Sequence, residues 1–567
     1  MTKTYKEQNM KNAIKKLISA TLAAATVFSF TACGNKNNDG GKVDTAKTQI
    51  WIRSYTAGYG DEWLTAIEDS FEKKYADVSF EDGKTGVQVH HDGEMFDNIT
   101  VAQMEQSKYD IFFLQNDSYY ALVNEGDGLE DITSTVTDVN ADGKTVLSKL
   151  TEQQKDFFGI KDDSGVAHYY GLPHYNGTSG IIYDKDLFDK KDYYIADDQS
   201  EGFLIATKDQ KKSAGPDGEY KTDDDGLPAT YDEFFALMDE IAVDDIPLSW
   251  AGSPYYAYYV GHLFDALVAD YEGREKMTYN YTFTGTENLV KVNSEGEPVL
   301  NADGTPVLEE VAITKNTGYE TARQPGKYYA MQFISKLFAN SKYYPEESFK
   351  TWSQTQAEQA FLQNGKTNTK KNIAMLIDGP WWQREASEIF GFMAEKDEQY
   401  SAMNRNLRWM PLPKATAEKV SENSKNVFFD SMSSTVCMKK GTGSRKNACL
   451  EFIKYVNSDE ALIMFTEKTG ALRGYTYDIP DSVIGKLTPF SQSLVKYVKN
   501  ADVVYRYTSD TFYNKNYDTF KYDAVYNNGK YNNIATAFHE GNYTAETYFK
   551  SYYTYFKDKL ANIWANA

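Results

Sequence analysis

Tyr109-Asp110-Ile111-Phe112-Phe113-Leu114 carries a run from Ile111 that is apolar on both faces, as a central parallel strand covered on two sides requires. Upstream, Gln49-Ile50-Trp51-Ile52-Arg53 predicts a first strand, a turn through Gly58 and Gly60, and a helix from Asp61. In that helix Leu64, Ile67, Phe71 and Tyr75 form one apolar stripe. Val87-Gln88-Val89 predicts another strand. Strand and helix in alternation predict α/β layers, with sites at the carboxyl ends of the strands.

Downstream, Gly180-Ile181-Ile182-Tyr183 opens a second group of strands, and helices are expected over 231–242 and around 256–271. Two copies of Asn-x-x-Gly-x-Pro-Val-Leu, at 293–300 and 301–308, predict a hairpin or meander. Ile373-Ala374-Met375-Leu376-Ile377 predicts a buried strand that empties into Asp378-Gly379-Pro380-Trp381-Trp382. Residues 444–468 predict two helices split at Asn457-Ser458-Asp459, and the tail from Ser491 reads as helical and aromatic. Its Tyr548, Phe549, Tyr552, Tyr553, Tyr555 and Phe556 have the spacing of a packed core.

The chain is 567 residues long, enough for two or more lobes. Its net charge is −22, and residues 1–32, with five lysines and one glutamate, make the remainder four units more negative. So acidic a chain argues against nucleic acid or an anionic membrane as a partner, since phosphates would be repelled. Lys11, Lys15 and Lys16 precede a short apolar run ending at Phe30-Thr31-Ala32-Cys33-Gly34, which reads as a secretory signal. It resembles a bacterial lipoprotein signal, cleaved before a cysteine that takes the lipid, with Phe30 where Leu is usual. Residues 33–48 then form a Gly/Asn-rich tether, and no later segment is apolar enough to span a bilayer. Cys437 and Cys449 are expected as buried thiols, since Cys449 falls on the apolar side of its helix.

No nucleophile elbow, phosphate loop or His-Glu-x-x-His motif is present, and the six histidines lack zinc-ligand spacing. Two carboxylates that meet only in space leave a glycosidase open. In Gly215-Pro-Asp217-Gly-Glu219-Tyr-Lys-Thr-Asp223-Asp224-Asp225-Gly226, Asp217, Glu219, Asp223 and Asp225 are either ligands of a structural Ca²⁺ or a solvated acidic loop. No cofactor is required. The 44 tyrosines lean slightly towards carbohydrate, because a phenol offers a flat apolar face and a hydroxyl.

Four segments in order resemble the family 1 extracellular solute-binding proteins, the carbohydrate receptors of ATP-binding-cassette importers. They are 51–75, ending Phe71-Glu-Lys-Lys-Tyr75; Tyr170-Gly-Leu-Pro-His-Tyr-Asn-Gly-Thr-Ser-Gly-Ile-Ile-Tyr-Asp-Lys-Asp-Leu-Phe188; 373–382; and Met410-Pro-Leu-Pro413 with Phe452-Ile-Lys-Tyr-Val456 to Thr469-Gly-Ala-Leu-Arg473. Residues 189–229, the 293–308 repeat and the tail after about 490 depart from the pattern. The resemblance implies a two-lobe α/β, periplasmic-binding-protein-like fold with hinge strands, a ligand cleft and a helical C-terminal extension. Lobe 1 would be 49–173 with 415–470, and lobe 2 would be 174–414 with 471–567. It further implies a monomeric receptor, lipid-anchored through Cys33 on the outer membrane face, that closes on an oligosaccharide and delivers it to a permease. A receptor for a non-sugar solute, a lipid-anchored glycoside hydrolase and an adhesin are the alternatives.

Trp381, where the family places a stacking Trp, is either the sugar platform or interlobe packing. Asp378 is a hydroxyl acceptor or a turn cap. Tyr55 and Tyr59 lie in the first strand-to-helix loop, at the lip of the cleft. Asn116 and Asp117 follow the Ile111 strand, with Asp117 as the alternative cap of the next helix. His174, Tyr175 and Asn176 lie at the crossover, and His174 is otherwise a buried core histidine. Trp250 ends a strand as a second platform. Asp430 and Arg473 stand where the chain recrosses, Arg473 either bonding a hydroxyl or forming an interlobe ion pair.

Overall fold

Apolar strands too short to cover one another sort into two sheets, and helices packed on their faces bury them. The computed structural model describes residues 43–565 except 95–98, 115–121, 124–127, 176, 254, 364–370, 423–424, 431–434, 506–511, 514–515, 517–519, 521–523 and 528–529. The signal segment, Cys33 and the first part of the tether therefore lie outside the described residues, as do Asn116, Asp117 and Asn176. The strands that position the site are β1 (Thr48–Tyr55), β2 (Val87–Glu94), β3 (Ile111–Leu114), β4 (Gly171–Pro173), β5 (Gly180–Asp184), β6 (Ile246–Ser249), β7 (Ile373–Asp378), β8 (Leu407–Met410), β9 (Val427–Asp430), β10 (Thr435–Met438) and β11 (Asp502–Tyr505).

The first sheet runs β2-β1-β3-β10-β4. β1 lies parallel to β2 and to β3, with Ile52 opposite Ile111. β3 is buried along its whole length, as its sequence predicts, but β10 pairs with it antiparallel, Val436 opposite Phe113. The helix Glu62–Lys74 covers this sheet through Leu64, Ile67 and Phe71, all fully buried. The helices Lys446–Val456 and Asp459–Thr469 form as the sequence divides them. Cys437 and Cys449 are free and buried.

The second sheet runs β8-β5-β7-β6. β5 is antiparallel to both neighbours, with Ile181 opposite Ile377 and Ile182 opposite Trp409. Gly180 opens β5 because a Cβ there would lie 2.2 Å from Trp409 Cζ2. The 27-residue helix Tyr256–Thr282, interrupted at Gly273, packs against β7, β9 and β11. The repeat folds as the predicted meander on the hairpin Gly285–Val290 with Leu308–Ile313. In its first turn Asn293 Oδ1 accepts the Glu295 and Glu297 N–H groups.

Between Pro173 and Gly180 the chain leaves the first sheet for the second. It returns at Thr435, after β9 has paired in parallel with β11. This corrects two expectations. Residues 427–430 pack on the Tyr256–Thr282 helix and not with the first sheet, and the tail is not purely helical. The β9 partner lies some seventy residues away in β11, a pairing no local pattern announces. Beyond Gly470 the chain crosses again to the helix Pro489–Asn500, which lies along β8, with Trp409 N–H donating to Ser493 Oγ at 2.9 Å. Helices Ile534–His539 and Ala545–Thr554 pack on Pro325–Ala339, and Tyr548, Phe549, Tyr552 and Phe556 are buried there as core. Val43–Ala567 form one compact unit.

Arg473 ties the crossings together. Fully buried, it donates from Nε to His174 O (2.6 Å), from Nη1 to Val456 O (3.3 Å) and from Nη2 to Asn457 Oδ1 (2.9 Å). The end of the Lys446–Val456 helix supplies two of these acceptors, where the dipole favours a cation. The Phe465 and Tyr475 rings lie 5.7 and 5.5 Å from its guanidinium. Arg473→Ala strands buried carbonyls and should lower unfolding free energy by roughly 3 kcal/mol, read from the denaturant midpoint.

Candidate functional site

The loop from β1 into the helix Glu62–Lys74 turns through Ala57, Gly58 and Gly60, all at positive φ. Gly58 has a second constraint: a Cβ there would sit 3.0 Å from Trp381 Cδ1. Trp381 follows β7 through the Gly379-Pro380 turn and is 8 % exposed. A Cβ on Gly177, in the crossover, would come within 3.2 Å of the same ring, and one on Gly379 within 2.2 Å. Three glycines thus make the slot for one indole, which touches the first lobe, the crossover and its own lobe at once. Arg384, three residues on, pairs with Glu62 on the opposite lobe at 2.5 Å. Both side chains are partly exposed, so the pair orients more than it stabilises.

Tyr59 meets Trp381 edge-on at 6.5 Å and packs on Tyr175 (4.9 Å) and Phe465 (5.6 Å). Its hydroxyl is buried with no hydrogen-bond partner among the described residues. Burial, then Tyr175, Asp430 and Tyr258, hold its pKa well above the phenol range. The structure therefore brings Tyr59, Tyr175, Trp381 and Asp430 together, and half-buried Tyr55 ends β1 beside them in the chain.

Asp378 ends β7, 1 % exposed, and accepts the Gly379 N–H at 2.7 Å, the turn-capping role. Burial and then the Glu385 charge push its pKa well up, with the Gly379 N–H and the Trp381 side chain pulling the other way. Glu358, on the helix Gln354–Leu362, is fully buried, and neither oxygen meets a donor among the described residues. Burial, then Glu385 and Asp378, raise its pKa strongly. Glu385 is pushed up to about 7 by burial, with a hydrogen bond from Glu358 opposing. The three carboxyls share protons under the Trp381 turn, and after burial their charges hold the Tyr259 hydroxyl well above the phenol range.

Sequence reasoning missed Glu358, Glu385, Tyr258 and Tyr259. A signal existed for Glu358: it shares a helix face with Phe361 and Leu362, where a carboxylate has no reason to sit unless something needs it. The tyrosines belong to a run, Tyr255 to Tyr259, that reads equally well as plain helix surface.

Three expected ligand contacts are spent on the protein itself. Trp250 is fully buried against Phe338 (5.7 Å) and Tyr344 (5.0 Å), so it is core and offers no platform. Arg473 makes neither a carboxylate pair nor an open donor, because its fork is filled by carbonyls and Asn457. His174 lies among the Trp63, Phe113 and Phe465 rings, and burial with the Arg473 charge keeps it neutral. In the acidic loop Asp223 pairs with Lys496 at 2.6 Å, and Asp225 accepts the Lys221 and Thr222 N–H groups. Asp217 accepts the Glu219 N–H. No three carboxylate, His or Cys groups converge as a cation requires among the described residues. No helix among them is long and apolar enough to cross a membrane.

A family model for bacterial extracellular solute-binding proteins matches residues 69–486. No curated protein sequence matches. Among solved structures, a chitin oligosaccharide binding protein is 14 % identical, covering 91 % of this chain and 99 % of its own at a TM-score of 0.52. A cyclic alpha-maltosyl-1,6-maltose binding protein from Arthrobacter globiformis is 12 % identical over 92 % and 100 %, TM-score 0.52. The solute-binding protein RafE in complex with raffinose is 12 % identical over 91 % and 100 %, TM-score 0.50. At these identities the likeness is one of fold.

The carboxyl cluster makes the site pH-sensitive. A group whose pKa is raised on folding, here Glu385 from 4.5 to about 7, contributes stability that is complete below the unfolded value and lost as pH rises through the folded one. Tm should fall between about pH 4.5 and pH 7, and Glu385→Gln should flatten that slope in thermal scans.

Proposed function

We propose that this chain, which belongs to the bacterial extracellular solute-binding protein family, captures an oligosaccharide between its lobes and hands it to an importer permease. The observation that carries the sugar reading is the gathering of aromatic rings beside buried carboxyls where the crossover, the first loop and the Trp381 turn meet. Tyr59, Tyr175 and Trp381 supply apolar faces for C–H surfaces, and Asp430 beside Tyr59 supplies an acceptor for hydroxyls. The receptor names among its structural relatives, for chitin oligosaccharide, maltosyl-maltose and raffinose, point the same way.

Trp381 is the moving part in this reading. Wedged among Gly58, Gly177 and Gly379, it gives way to a sugar ring as the lobes part and closes over it when they return. Glu62 with Arg384 then marks the closed rim for the permease. Cys33 carries the lipid that keeps the receptor, as a monomer, at the outer membrane face. No cofactor enters, and the family is one of binding proteins, not of enzymes.

Titration calorimetry against a panel of oligosaccharides, with the ligand recovered, tests this. Saturable binding and intact sugar are expected, and Trp381→Ala should weaken binding by roughly 30-fold, about 2 kcal/mol. Cleaved sugar would mean a hydrolase, and no binding across the panel would sink the oligosaccharide.

A further inference from the structure

A cavity of about 540 Å³ opens at the free edge of the second sheet, against β8 and away from the β7 turn that carries Trp381. One wall is the acidic loop through Asp217, Thr222 and Asp224, and the other is the helix Pro489–Asn500 through Ser493, Tyr497 and Asn500. The first wall belongs to the 189–229 departure, and the second lies past the end of the family match at 486. None of its lining residues belongs to the cluster around Trp381, so the cavity is separate from the interlobe site.

We propose that the cavity is a second carbohydrate site, shaped for a mono- or disaccharide. Its volume is in the range of small-ligand sites, about 300–1,000 Å³. Trp409 and Tyr497, 7 % and 9 % exposed, line it with aromatic surface. Tyr183 is 2 % exposed, and its hydroxyl has no hydrogen-bond partner among the described residues although it lines the cavity. The Arg408 guanidinium donates from Nε to Asn406 at 2.7 Å, and its charge acts on Asp223 and on the Tyr183 hydroxyl, both lining the cavity. The other cations lining the cavity are matched: Lys496 with Asp223, Lys425 with Asp502 and Lys185 with Asp189, each at 2.6 Å.

Charge selects the ligand class. Arg408 and the lysines disfavour a cation, and Asp217, Glu219, Asp223 and Asp224 disfavour an anion. A neutral polyol suffers neither penalty. A planar guanidinium fork, a phenol and the Asn426 and Asn500 amides together bond neighbouring hydroxyls, while Trp409 and Tyr497 take the C–H face.

The site is tested in Trp381→Ala protein, whose interlobe cleft is weakened, and binding at the second site is the part that substitutions lining the cavity remove. Glucose, xylose and maltose at millimolar concentration are titrated by saturation-transfer NMR and equilibrium dialysis. At least one should bind with a stoichiometry of one. Tyr183→Phe, which preserves shape, and Arg408→Gln should each weaken that binding about tenfold with circular dichroism unchanged. No binding of any of the three sugars overturns the proposal, as does binding that both substitutions leave untouched.

Discussion

One buried cation holds the two-lobed arrangement in register. Arg473 reaches the carbonyl of His174 in the first crossing, the carbonyl end of the Lys446–Val456 helix and Asn457, all without a carboxylate. Removing a guanidinium from water costs several kcal/mol, so the position is tolerable only because nearly every donor is met and two aromatic rings lie against it. The result is a fixed departure point for the Pro173–Gly180 crossover. Where that crossover leaves the first sheet determines where Tyr175 and Gly177 stand, and they in turn frame Tyr59 and Trp381.

The contact between the lobes is made of rings and small residues, with little charge. Trp381 fits because three glycines leave room, and Tyr59 fits because Tyr175 and Phe465 shape its pocket. Such a surface separates without breaking buried ion pairs, since Glu62 with Arg384 lies at the partly exposed rim. Beneath it, Asp378, Glu358 and Glu385 avoid mutual repulsion by keeping protons.

Ion pairs between distant segments tie the outer parts of the second lobe together. The meander of the 293–308 repeat is tied to the Ala545–Thr554 helix by Lys550 with Glu297 at 2.9 Å, and the acidic loop to the Pro489–Asn500 helix by Lys496 with Asp223. Loop and helix together enclose the edge cavity.

Sequence alone determined the local parts. The doubly apolar Ile111–Leu114 run, the Leu64–Ile67–Phe71 stripe, the Asn-x-x-Gly turns and the burial of both thiols follow from period, turn chemistry and hydrophobicity, which act over a few residues. The order of the four resembling segments carried the two-lobe architecture. Tertiary structure alone decided what each polar or aromatic group spends itself on. Trp250 and Trp381 both follow a β-strand, yet Phe338 and Tyr344 enclose one while glycines from three segments admit the other to the cleft. Arg473 had two readings in sequence and took a third, because its partners come from residues 174, 456 and 457. The parallel pairing of Val427–Asp430 with Asp502–Tyr505 was likewise invisible. Contacts of that sequence separation depend on where the whole chain runs, and no local pattern encodes them.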